Sequence, residues 1–209
     1  MTGPAADQDP TADQDRDAAP DHAAPRTERP YDRRSLTSAP SLVLVNTGHG
    51  KGKSTAAFGT VLRAVARDWP VAVVQFLKSG RWSTGEEKVC RRLGVDWFSA
   101  GDGFSWESSD LDESQAKAVA AWQFSRDLLG AGTHRMVVLD EVSYPMSWGW
   151  IDAAEVAATL RGRPEDVTVV LTGREMAAEV VDVADTVTEM VKVKHAFERG
   201  IRARKGIDY

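Results

Sequence analysis

Ser41-Leu42-Val43-Leu44-Val45-Asn46-Thr47-Gly48-His49-Gly50-Lys51-Gly52-Lys53-Ser54-Thr55 runs from an apolar stretch through a glycine-rich loop into a helix-patterned segment. Strand, glycine loop and helix in that order form the layout of a phosphate-binding loop. Gly48, Gly50 and Gly52 let the backbone curl until successive N–H groups point inward. Lys53 can then reach the outer phosphates, and the Ser54 hydroxyl can ligate Mg²⁺. Phe58, Val61, Leu62 and Val65 share one face of the following segment, which marks a helix whose positive dipole end lies beneath the anion. Thr47 holds the place of the first glycine in GxxxxGK[ST], so the context, more than the Gly52-Lys53-Ser54 triplet, carries the reading against a plain glycine turn.

Composition narrows the rest. A chain of 209 residues, 42% hydrophobic and 27% charged, suffices for one well-buried domain and not for two large ones. A net charge of −5 argues against a general nucleic-acid binder, which carries a basic excess or a basic face. Cys90 is the single cysteine and cannot close an internal disulfide, no apolar h-region follows the N-terminus, and no apolar run approaches membrane-spanning length. The expectation is a soluble, cytoplasmic protein with a small-molecule partner.

Residues 1–40 carry six of the nine prolines with repeated Asp, Ala and Gln, a composition that cannot offset the entropy of ordering itself. They read as a disordered acidic tail, with a lid or partner-binding arm as the alternative. Residues 41–209 read as the folded domain. Val71 to Phe76 is a second buried strand, Glu87 to Leu93 a short helix, Val95 to Phe98 a third strand and Glu113 to Leu129 a longer helix. Met136 to Leu139 is a fourth strand, followed by a helix over 152–161, a strand over 167–171, a helix over 175–183 and a last strand over 186–191. This alternation predicts a P-loop NTPase-like (RecA-like) α/β fold: a single domain with a mostly parallel twisted sheet and helices on both faces. Ligands of such sheets bind beyond the carboxyl ends of the strands.

Asp140-Glu141 ends the fourth strand, where adjacent carboxylates are costly to desolvate unless a cation or donors meet them. Beside a phosphate loop they read as a Walker B pair, either member holding Mg²⁺ opposite Ser54; an exposed strand-end pair is the alternative. Trp82, Phe104 and Trp106 fall in polar loops, where they either cap the core or cover a large flat ligand. The basic run Arg199, Arg202, Arg204 and Lys205 reads as a solvated or subunit-contact face rather than a nucleic-acid site. On these residues alone a P-loop ATPase and a nucleotide-sensing module remain open.

Thr47 to Ala57, Val73-Val74-Gln75-Phe76, Gly103 to Glu107, Leu139-Asp140-Glu141, Leu171-Thr172-Gly173-Arg174, and Lys192 to Phe197 with Gly206 to Tyr209 resemble the P-loop-type corrinoid adenosyltransferases. The resemblance covers residues 41 to 209, and that family likewise has Thr at the leading loop position. It implies a transferase that moves the adenosyl group of ATP to the Co(I) of a corrinoid, cobalamin or cobyrinic acid a,c-diamide, in cobalamin biosynthesis or salvage, and releases triphosphate. By resemblance, Thr47, Gly48, His49, Gly50, Lys51, Gly52, Lys53, Ser54 and Thr55 hold the nucleotide, with Arg174 near it. Ser54 with Asp140 or Glu141 holds Mg²⁺, and Lys53 stabilises the leaving group. Phe104 and Trp106 pack on the corrin face and displace its lower axial ligand, with Trp82 and Lys78 lining the same cavity. A reductase, often a flavoprotein, supplies electrons, and relatives are homodimers. Two loop positions depart from the family habit: His49 replaces Asn, and Ser54 replaces Thr with the hydroxyl retained. No DxHxxG cobalamin-ligating motif is present, so the histidines are not read as cobalt ligands.

Overall fold

A computed structural model of the protein describes residues 35–79, 84–101 and 111–208. Trp82, Phe104 and Trp106, and the tail up to residue 34, lie outside the described residues. The chain divides into Met1–Ser38 and Ala39–Tyr209, and the architecture below is that of the second unit.

The apolar runs form strands β1 (Val43–Thr47), β2 (Val71–Ser79), β3 (Asp96–Gly101), β4 (Met136–Asp140), β5 (Thr168–Thr172) and β6 (Thr186–Glu189). They make one sheet in the order β3-β2-β4-β5-β1-β6, and every pairing is parallel. All carboxyl ends therefore face one edge. β1 and β4, the strands that carry the glycine loop and the carboxylate pair, are separated by β5 alone.

Continuous β-branched runs suit strands covered on both faces, and successive side chains divide between the faces. Val43, Val45, Val74, Phe76, Val137, Leu139, Val169 and Leu171 join one buried cluster. Val71, Val73, Met136, Val138 and Val170, from the same strands, join another. Helices α1 (Lys53–Val65) and α2 (Gly85–Arg92) cover the second cluster through Ala57, Phe58, Val61, Ala64 and Cys90. Helices α3 (Leu111–Ala131), α4 (Ser143–Ser147), α5 (Ala153–Arg161) and α6 (Ala178–Val181) cover the first through Trp122, Leu129, Met146, Val156, Leu160 and Val180. Helices thus lie on both faces, as expected from the sequence.

Local chemistry sets the helix ends. Thr84 caps α2 by accepting from the Glu87 amide at 3.3 Å, and Asp152 caps α5 by accepting from the Ala154 amide at 2.9 Å. Acidic Glu86 and Glu87 open α2 and basic Arg91 and Arg92 close it, matching the helix dipole.

The helix expected over 175–183 is shorter. Gly173 and Glu175 adopt positive φ, and helical bonding is confined to Ala178–Val181, although Met176 and Val180 still pack into the core. Replacing Leu171, fully buried in β5, by Ala should cost about 2–5 kcal/mol of stability in denaturant unfolding. Leu62→Ala on the half-exposed side of α1 should stay within about 0.5 kcal/mol.

Candidate functional site

The glycine loop bridges the end of β1 and the first turn of α1. Gly52 is the N-cap at φ 107°, and no side chain caps the helix there, which leaves its first-turn amides open to solvent or an anion. Lys53 Nζ donates to the carbonyls of Gly48 at 2.8 Å and Gly50 at 2.7 Å, which holds the ammonium inside the curl. Burial, followed by the charge of Arg174, lowers the Lys53 pKa below its ordinary value, while Glu141 and Asp140 oppose the shift. A cation short of compensation in the free protein is well prepared for a polyphosphate.

The loop is clasped from the side by the backbone that leaves β6. Gly50 N–H donates to the Met190 carbonyl at 2.6 Å, and Met190 N–H donates to the Thr47 carbonyl at 2.8 Å. A Cβ on Gly48 would meet the Met190 oxygen at 2.6 Å, and one on Gly50 would meet it at 2.7 Å and the Val191 oxygen at 2.8 Å. Backbone atoms cannot yield, so glycine is required at both places. The Thr47 hydroxyl oxygen accepts from the Met176 amide at 3.2 Å and so ties the loop to the segment after β5.

Around this cradle, His49 lies 3.8 Å from Glu175 and lines, with Arg174, His195 and Phe197, a cleft of about 640 Å³. Lys51 pairs with Asp208, and its ammonium holds the Asp208 carboxyl below the usual carboxylate range. Thr55 instead lines a separate groove of about 500 Å³ with Phe58, Leu62, Val89 and Ile207.

At the end of β4, Asp140 is completely buried, which excludes the exposed strand-end alternative. Its Oδ1 accepts from the Thr172 hydroxyl at 2.7 Å and its Oδ2 from the Gln75 amide at 3.1 Å. Glu141 follows at φ 64°, its N–H donating to Thr172 Oγ1 at 2.9 Å. Positive φ at non-glycine residues costs of the order of 1–3 kcal/mol each and gathers at functional sites. Glu141 and Glu175 both adopt it, at the ends of adjacent strands. Tyr144 sits close enough to Arg174, Glu141, Glu175 and Asp140 to feel their charges, although burial is the main reason its pKa rises.

Lys53, Arg174, Asp140 and Glu141 are thus brought together electrostatically beside the glycine loop. Trp82, Phe104 and Trp106 lie outside the described residues, as does the side chain of Lys78. Gln75, Thr172 and the Met190 backbone escaped the sequence reading as site components. The signals were a lone polar residue within the buried run Val71 to Phe76 and a hydroxyl at the end of β5.

Ser54, Asp140 and Glu141, the residues expected to hold Mg²⁺, offer only hard oxygen donors. Among the described residues no three His, Cys, Asp or Glu side chains form a metal cluster. This donor set fits Mg²⁺, which prefers one or two protein ligands with phosphate and water completing its octahedron. Among the described residues, no helix is long and apolar enough to cross a membrane.

Because the Met190 carbonyl fills the space a methyl would need, Gly50→Ala should weaken ATP binding by roughly tenfold or more in a calorimetric titration. Its thermal unfolding should remain cooperative.

Comparison with known proteins agrees with this geometry. The family profile described as ATP:corrinoid adenosyltransferase BtuR/CobO/CobP matches residues 40–209. The corrinoid adenosyltransferase CobA of Salmonella typhimurium is 42% identical over 168 residues, 80% of this chain and 85% of that protein. A corrinoid adenosyltransferase of Pseudomonas aeruginosa is 44% identical over 170 residues, 80% of this chain and 83% of that protein. The Escherichia coli K12 corrinoid adenosyltransferase is 40% identical over 168 residues, with 80% and 85% covered. A glycine loop closed around the Lys53 ammonium, a buried carboxylate near enough to act on its charge and this extent of identity agree with one another: the chain belongs to the ATP:corrinoid adenosyltransferase family and is a transferase.

Proposed function

We propose that this protein transfers the 5′-deoxyadenosyl group of ATP to the Co(I) centre of a corrinoid and releases intact triphosphate, in cobalamin biosynthesis or salvage. The observation that carries the reading is Lys53, held in a glycine cradle beside Arg174, Asp140 and Glu141, in a chain of this family.

In this reaction an electron pair on cobalt forms the bond to C5′ while the C5′–O pair departs with the triphosphate. The nucleophile is supplied by the substrate, so the protein needs no activated Ser, Cys or His. What remains for the protein is alignment of two ligands, exclusion of water and stabilisation of charge on the leaving group. The Lys53 ammonium and the amides of Gly50 to Ser54 meet that growing charge, with Arg174 adding a second cation from the cleft. Mg²⁺, held by Ser54 with Asp140 or Glu141, would neutralise phosphate oxygens.

The resemblance adds Phe104 and Trp106 as the aromatic pair against the corrin face, with Trp82 beside them. Removal of the lower axial donor by that pair makes Co(II) easier to reduce. A reductase, such as a flavoprotein, delivers the electron, and the working unit is a homodimer in the cytoplasm.

Incubation with ATP, Mg²⁺ and chemically reduced cobalamin should give the visible spectrum of the cobalt–carbon product together with tripolyphosphate. Orthophosphate and ADP would instead identify an ATPase, and no turnover a nucleotide-sensing module. Removing Mg²⁺ with chelator should suppress the reaction, and Lys53→Ala should lower kcat/KM by roughly a hundredfold or more. Trp106→Ala should impair reaction from Co(II) with reductase more than reaction from pre-reduced Co(I). Equal losses in the two assays would remove the axial-ligand role.

A further inference from the structure

Trp97, Gln75, Asp140 and Thr172 form a continuous buried chain of hydrogen bonds that crosses β3, β2, β4 and β5. Trp97 Nε1 donates to Gln75 Oε1 at 3.3 Å, and Gln75 Nε2 donates to Asp140 Oδ2 at 3.1 Å. Thr172 Oγ1 donates to Asp140 Oδ1 at 2.7 Å and accepts from the Glu141 amide at 2.9 Å. Gln75 is 1% exposed, Thr172 and Asp140 0% and Trp97 4%, so water cannot substitute for any of these partners.

The chemistry of the donors makes the chain directional. An indole N–H can only donate, so Trp97 selects the amide orientation in which Gln75 presents its NH₂ to Asp140. A threonine hydroxyl has one hydrogen. Thr172 gives it to Asp140 and receives the Glu141 N–H on a lone pair, which leaves no alternative pattern. Each carboxylate oxygen of Asp140 thus has its own donor, and the peptide that places Glu141 at positive φ is anchored on the same hydroxyl.

We propose that Thr172 and Gln75 are positioning residues of the transfer reaction: they fix the Asp140 carboxylate and the Glu141 backbone so that both acids face magnesium triphosphate in one preset orientation. The inference rests on the nucleotide reading given above and adds two residues to it. The sheet register supports it. Gln75 is directly paired with Asp140 across β2 and β4, and Thr172 ends β5, the strand between the Asp140 strand and the glycine-loop strand. Trp97 also packs on Phe58 of α1 at a centroid distance of 5.3 Å, so the far end of the chain is anchored to the helix that starts at Lys53.

The test is the Mg²⁺ dependence of ATP binding, measured by calorimetry without corrinoid, on the full chain carrying Thr172→Val, Thr172→Ser or Gln75→Met. Thr172→Val keeps the shape and removes the hydroxyl; it should raise the half-saturating Mg²⁺ concentration by roughly tenfold and change binding of ATP in chelator by less than about twofold. Thr172→Ser, which restores the hydroxyl, should stay within about threefold of the parent protein. A Thr172→Val protein with the parent's Mg²⁺ response, or equal losses with and without Mg²⁺, overturns the proposal, as does a Thr172→Ser protein impaired as much as Thr172→Val. If Thr172→Val gives no cooperative melt, Gln75→Met decides by the same titration: a several-fold weaker Mg²⁺ response supports the role, and an unchanged one ends it. Absence of Mg²⁺-dependent ATP binding in the parent protein would instead overturn the nucleotide reading itself, and this inference with it.

Discussion

The site is organised around one ammonium group, that of Lys53, held inside the glycine loop. Two loop carbonyls accept hydrogen bonds from it, but burial and Arg174 still lower its proton affinity. A site left short of negative charge gains more from a polyphosphate than a satisfied one would, because binding then replaces weak compensation by strong. Strain is stored close by, where Glu141 and Glu175 adopt left-handed backbone. Such strain persists only where surrounding structure over-determines it, and here the all-parallel sheet core supplies that constraint.

Much of this was legible in the residues because the core obeys short-range rules. Val71 to Phe76 and Met136 to Leu139 are apolar almost without a break, which signals strands covered on both faces, and the structure divides their side chains alternately between two clusters. The glycine loop was readable because no other residue type tolerates its geometry. What stayed hidden depends on partners distant in sequence. Gln75 stands out as polar among apolar neighbours, but only the sheet order shows that it faces Asp140, 65 residues on. The segment 175–183 carries helical periodicity, and Met176 and Val180 do pack inward, yet the turn after β5 keeps its first three residues out of helical bonding. The five-residue helix α4 was not among the expected elements; its Pro145 sits in the first turn, where a missing N–H removes no intrahelical bond.

Thr47 shows how a departure from a motif can carry meaning. A glycine in that place would supply freedom, but Thr47 closes β1 in regular pairing with Glu189 and needs none. Its hydroxyl accepts the Met176 amide, a bond glycine cannot make, so the loop after β5 is registered on the loop after β1. Glycine is required in this loop by positive φ at Gly48 and Gly52 and by the approach of the Met190 backbone at Gly48 and Gly50.

That approach also gives the C-terminal segment a second role beside its exposed basic run. Its basic run suggested a solvated or subunit-contact face, and its ion pairs, Lys192 with Glu198 and Lys51 with Asp208, are exposed enough that each contributes little. The attachment that matters is backbone to backbone: Met190 takes the Gly50 N–H and gives its own N–H to Thr47. Such bonds do not depend on the side chain at 190 or on salt, whereas Lys51–Asp208 is screened by salt. The segment after β6 is therefore a structural wall of the glycine loop, joined to it through main-chain bonds.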